Sequence, residues 1–135
     1  MKTADRNRYG MGKSVPLPYE QAVERTRAAL QEQGFGVLTE IDVRATLKKK
    51  LDVDREPYLI LGACHPPSAH RALTAAPEVG VLLPCNVCVS VEGGQTVVRA
   101  MNPESAMSLL KSPAVEEVAR EVAAALRRVV QSVTA

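Results

Sequence analysis

The chain is expected to fold as an α+β domain: two layers, with a predominantly antiparallel five-stranded sheet and the long helices on one face. Three observations lead to that expectation. Five runs rich in apolar and β-branched residues are bounded by Pro, Gly or charged residues, as strands are. Two longer stretches, near residues 19–33 and 113–133, repeat their apolar side chains at helical spacing. Gly93-Gly94 lies between two of the β-rich runs, the signal of a two-residue hairpin. An antiparallel sheet backed by helices on one side buries every stripe these segments carry.

Residues 1–8 read as a polar tail and residues 9–135 as a single domain. The first strand spans Tyr9 to Val15, with Tyr9, Met11, Lys13 and Val15 on one side. Pro16-Leu17-Pro18 suits a helix entry, because the first turn has no use for a proline N–H. Ala22, Val23, Thr26, Ala29 and Leu30 then form the buried stripe of a helix over residues 19–33, and Gly34 can end it in the left-handed conformation. Phe35, Val37, Thr39, Ile41 and Val43 alternate with Gly36, Leu38, Glu40 and Asp42, the period of a second strand. A short helix with Leu47 and Leu51 as its inward pair follows. Tyr58 to Cys64 is continuously apolar and reads as a central strand covered on both faces.

Pro66-Pro67 stops that strand and opens a brief helix over residues 67–76, with Ala69, Ala72 and Leu73 inward. Cys85 begins a fourth strand after Pro84, and Thr96 to Met101 is its hairpin partner. Asn102-Pro103 and Ser112-Pro113 each pair a capping side chain with a first-turn proline. The last helix places Val115, Val118, Val122, Leu126, Val129 and Val133 on one stripe. Its surplus apolar positions, Ala119, Ala123 and Val130, leave room for a homodimer contact or for a pocket between helix and sheet.

Composition narrows the function classes. At 135 residues a single domain buries roughly 68% of its unfolded surface. With 46% hydrophobic residues but one Phe, three Tyr and no Trp, the core must be aliphatic. A net charge of +2 from 17 basic and 15 acidic residues lacks the clustered excess of a nucleic-acid binder, and few aromatics remain to stack bases. No apolar run reaches the roughly 20 residues that span a bilayer, and the first residues lack the apolar core of a signal peptide. Three cysteines do not make a disulfide framework, so a reducing cytoplasm is the expected location.

The segment Gly34-Phe35-Gly36-Val37-Leu38-Thr39-Glu40-Ile41-Asp42-Val43, with Thr46-Leu47-Lys48-Lys49-Lys50-Leu51, resembles the bacterial and archaeal family called domain of unknown function 302. The resemblance continues through Pro57-Tyr58-Leu59-Ile60-Leu61-Gly62-Ala63-Cys64 and Leu82-Leu83-Pro84-Cys85-Asn86-Val87, covering roughly residues 15–105. It implies a β-α-β(4)-α, TBP-like arrangement, in agreement with the element order above, and no particular activity. His65 stands where the family commonly has Asn, and Cys88 where an aliphatic residue is commoner.

Chemistry-bearing residues collect at strand ends. Cys85-Asn86-Val87-Cys88 has the C-x-x-C spacing, but in an extended run residues three apart face opposite sides, so the thiols should separate. Cys64 and His65 close one strand beside Pro66, and Cys85 and Asn86 open another after Pro84. These four form the candidate site, for a small ligand or anion. If Cys64 and Cys85 meet with His65 or His70 close by, a thiol-based enzyme or a sulfur- or soft-metal-handling protein is the alternative. No resident metal or cofactor is assigned. Lys48-Lys49-Lys50, with Arg44 and Arg55, reads as a solvated basic face.

Overall fold

A computed structural model describes residues 5–6 and 9–134. The elements in chain order are β1 (Asp5–Arg6), β2 (Gly10–Val15), α1 (Tyr19–Glu32), β3 (Gly36–Asp42), α2 (Val43–Leu51), β4 (Tyr58–Cys64), α3 (Pro66–Ala75), a 3-10 segment (Pro77–Leu82), β5 (Cys85–Glu92), β6 (Gln95–Met101), α4 (Pro103–Met107), a 3-10 turn (Ser108–Leu110) and α5 (Pro113–Ser132). The sheet runs β1-β2-β6-β5-β4-β3 with every neighbouring pair antiparallel. The five expected strands are all present. Part of the expected polar tail, Asp5–Arg6, adds a two-residue strand at the β2 edge, and the rest of the tail lies outside the described residues.

Helices α1 and α5 pack against each other and against the central strands on one face of the sheet. Strand alternation decides what they cover. Leu59, Leu61 and Ala63 of β4, Cys85, Val87 and Val89 of β5, and Val98 and Ala100 of β6 point to the helices and are buried. The expected α5 stripe is buried throughout, and Leu30 of α1 meets the same aliphatic core. Ala119, Ala123 and Val130 are also buried, so they serve this chain's own packing and offer no dimer contact.

The capping signals act as their chemistry requires. Asn102 and Ser112 accept hydrogen bonds from Glu104 N (3.0 Å) and Val115 N (3.3 Å) at the starts of α4 and α5. Gly34, with φ of +85°, ends α1 in a conformation that side chains resist.

The β3–α2 margin departs from expectation. The alternation of β3 is interrupted by a register shift between Val37 and Thr39, and no residue of the strand is fully buried. As the last strand of the sheet, β3 has a neighbour on one side only. Helix α2 buries none of its residues: Leu47 is half-covered and Leu51 is 66% exposed, so they are not an inward pair. Its order comes from the ends, where Asp42 Oδ1 accepts from Ala45 N at 2.9 Å and Asp52 takes a left-handed conformation. Strand β4 is buried on its helix side, and only Gly62 is fully covered on the other, so double-sided covering was overstated. Among the described residues, no helix is long and apolar enough to cross a membrane.

Candidate functional site

Where β4 ends and β5 begins, the sheet, α3, α4 and α5 draw apart around a cavity of about 350 Å³. Small side chains make this space. Helix α3 presents Ala69 and Ala72 to it, and α5 presents Val118 and Val122. A chain with one Phe and no Trp has little bulk to fill such a gap, and that Phe, Phe35, already forms one wall. Leu38 (67% exposed) and Leu73 (41% exposed) stand at the rim, so the cavity communicates with solvent.

A few polar residues interrupt this apolar wall. Cys64, His65 and Ser68 come from the β4–α3 junction, Thr39 from β3 and Cys85 from the start of β5. Pro66 and Pro67 set the junction by opening α3 directly at the strand end. The backbone oxygen of His65 accepts from Ala69 N (2.9 Å), while its Nδ1 shares a 2.8 Å hydrogen bond with Ser68 Oγ. The imidazole also packs against Phe35, ring centroids 5.4 Å apart, and its Nε2 edge faces the backbone of Gly34. These contacts hold the ring in one orientation.

The structure brings together three of the four expected site residues. Cys64, His65 and Cys85 line the same cavity, whereas Asn86 does not. Asn86 is exposed on the opposite face of the sheet because it follows Cys85 by one residue in a regular strand. Cys88 shares that face with Asn86 and lies against the Tyr58 hydroxyl. The C-x-x-C spacing is therefore split across the sheet, as strand periodicity requires. His70 is on the exposed side of α3, away from the cavity. The basic run is a solvated surface in which Lys48 pairs with Asp52 (2.9 Å) and Asp54 (3.3 Å).

Burial sets the thiol chemistry. It pushes the Cys85 thiol up to about 11, with a further increment from nearby Cys64. It also raises Cys88. A thiol held protonated at neutral pH is a poor nucleophile. Among the described residues, no three His, Cys, Asp or Glu side chains gather as a metal site. Sequence reasoning missed Ser68, Ala69 and Met107 as cavity residues. Their signal was faint: two small residues on the first turns of a helix after Pro66-Pro67, and a methionine remote in sequence.

Comparison with known proteins adds fold and family. The model for the family "Domain of unknown function DUF302" matches residues 11–133. The chain is similar to the crystal structure of an uncharacterized conserved DUF302 protein from Bacillus stearothermophilus, with 29% identity over 91% of this chain and 96% of that one, and a TM-score of 0.86. No curated protein matches.

Proposed function

Since this chain belongs to the DUF302 family, a family of unknown function, its own geometry is the guide, and we propose that it is a binding domain for a small, largely apolar molecule. The observation that carries this reading is the cavity: about 350 Å³, walled mostly by carbon, with a few polar residues, Thr39, Cys64, His65, Ser68 and Cys85, among its lining. Ligand sites have that character, mostly apolar with a few placed polar groups. Left closed and empty, a hole of this volume would forfeit on the order of 8 kcal/mol at roughly 24 cal/mol per Å³, against a total of about 5–15 kcal/mol for a whole domain. Opening at Leu38 and Leu73 relieves that penalty, and an apolar occupant recovers the missing contacts.

The thiol-enzyme alternative is less well supported, because Cys85 is protonated at neutral pH. Three unpaired cysteines favour a reducing, cytoplasmic setting. For a homodimer the supporting surface is the β3–α2 margin, where Ile41, Leu51 and Val53 are exposed. Sedimentation of the wild type and of Leu51→Glu tests that contact: a dimer lost in the variant supports it, and a wild-type monomer at high concentration discards it.

Ligand binding is tested by amide and methyl shift mapping with octanoate and indole. Saturable shifts confined to Ala63, Ala69, Ala72 and Met107 are expected. Shifts scattered over the surface, or none at millimolar probe, would refute the reading.

A further inference from the structure

His65 and Ser68 meet beside an apolar cavity, at the turn where β4 runs into α3. His65 Nδ1 and Ser68 Oγ are 2.8 Å apart, within the reach a general base needs to take a hydroxyl proton. The segment between α1 and β3 holds the imidazole in place. The Phe35 ring packs on it, with centroids 5.4 Å apart. Gly34 leaves room for its far edge, since a Cβ there would lie 3.1 Å from Nε2. The Arg71 hydrogen bond first, and His65 more weakly, hold the Glu121 carboxyl below its usual value, so a carboxylate stands within electrostatic reach of the ring. Ser68 is 5% exposed and is the third residue of α3. Pro66 and Pro67 have no N–H, so Ser68 carries the first amide N–H of that helix, at its positive end. A nucleophile, a base in contact with it and groups that orient the base are the parts of covalent catalysis.

We propose that Ser68 and His65 are the nucleophile and base of an esterase site, and that the cavity takes a small ester with an apolar acyl or alcohol group. The inference rests on the cavity being the ligand site, and it names the class of ligand. In the first step Ser68 Oγ bonds to the ester carbonyl carbon and its proton passes to His65 Nδ1. The carbonyl oxygen becomes negative, and the Ser68 N–H with the positive end of α3 favours that charge. The bond from the carbon to the alcohol oxygen then breaks, and the alcohol leaves with the proton from Nδ1. In the second step water, entering at the Leu38–Leu73 rim, bonds to the acyl carbon and gives a proton to Nδ1. The carbon–Oγ bond breaks, the acid leaves and Oγ recovers the proton. One ester and one water become one acid and one alcohol, with no change of oxidation state.

The test uses the whole chain with 1-naphthyl acetate for turnover, read by fluorescence of the released 1-naphthol. Its slow-leaving analogue, 1-naphthyl N-methylcarbamate, traps the acyl stage for intact-mass spectrometry and peptide mapping. Binding of 1-naphthol itself is measured separately. Expected are saturable release above the buffer rate and one carbamoyl group per chain, on Ser68. Ser68→Ala should bring release down to the buffer rate. His65→Asn, which keeps a hydrogen-bonding side chain but no base, should slow it about 100-fold or more, with an unchanged circular-dichroism spectrum. His70→Asn, changed on the exposed side of α3, should cleave as the wild type does, which separates the site from surface imidazole. Undiminished release in folded Ser68→Ala or His65→Asn, or loss in His70→Asn, overturns the proposal. If the Ser68 and His65 variants prove unstable, the wild type decides: a carbamoyl group on a cysteine or lysine, or on no residue, overturns it too. Wild-type protein that binds 1-naphthol but cleaves no ester overturns this inference alone; protein that binds neither also removes the cavity reading beneath it.

Discussion

The two faces of the sheet receive the same strands but opposite chemistry. Toward the helices, β4 and β5 present Leu59, Leu61, Ala63, Cys85, Val87 and Val89, all buried. The other face carries Tyr58, Ile60, Asn86, Cys88 and the Arg99–Glu92 pair. Cys85 and Cys88 are three residues apart in sequence, yet one faces an apolar cavity and the other a tyrosine hydroxyl. Cys64 and Cys85, twenty-one positions apart, share a wall. Strand pairing, more than sequence spacing, decides which groups can act together.

The largest break in this contrast should come from truncating the helix-covered face. Leu61→Ala or Leu126→Ala, each removing a fully buried side chain, should cost about 2–5 kcal/mol in urea unfolding. Ile41→Ala, at a position 47% exposed on the other face, should cost well under half of that. Equal losses would mean the two faces are buried alike.

Crowding gives a second, smaller contrast. A Cβ on Gly62 would lie 2.2 Å from Thr39 Oγ1 and 3.0 Å from Pro84 Cγ, so Gly62→Ala should cost about 1–3 kcal/mol. Gly36, with nothing within 4 Å of such a Cβ, should accept Ala nearly neutrally. In a double-mutant cycle, Thr39→Ala should recover part of the Gly62→Ala loss; strict additivity would show that this contact does not set the cost.

Titration separates the faces more gently. Burial raises Cys85 to about 11 from 9.0, so the folded state favours the protonated thiol. Its contribution to stability is complete below pH 9 and is lost as the pH rises toward 11. Iodoacetamide should modify Cys85 slowly at neutral pH and faster across that window; rapid labelling at pH 7 contradicts the burial argument. On the other face the sign reverses. Hydrogen bonds from Arg99 and then Ser90 hold Glu92 down at about 2. The stability it adds is present above pH 4.5 and fades as the pH falls toward 2. Because the pair is largely exposed, Glu92→Gln should cost at most about 1 kcal/mol at pH 7 in denaturant titration.

Much of this architecture was legible because it is periodic. The α5 stripe, the Gly93-Gly94 hairpin and the proline-marked helix starts each carry local signals, and each is where its signal put it. The β3–α2 segment misled because alternation at an edge strand resembles alternation over a core, and the register shift after Val37 leaves no local mark. Leu47 and Leu51 have helical spacing but face no packing partner that buries them. The candidate site was half legible. Proline-flanked strand ends pointed to Cys64, His65 and Cys85, while the parity of a strand sent Asn86 to the far side. The cavity itself is an absence of bulk contributed by six elements, and no local pattern encodes it.

The most direct test of the cavity as a ligand site is calorimetric titration of 1-naphthol into the wild type and into Ala69→Phe, each first shown folded by circular dichroism. One saturable site in the wild type, weakened at least tenfold in the variant, is the expected result. Equal affinity in both proteins would contradict it.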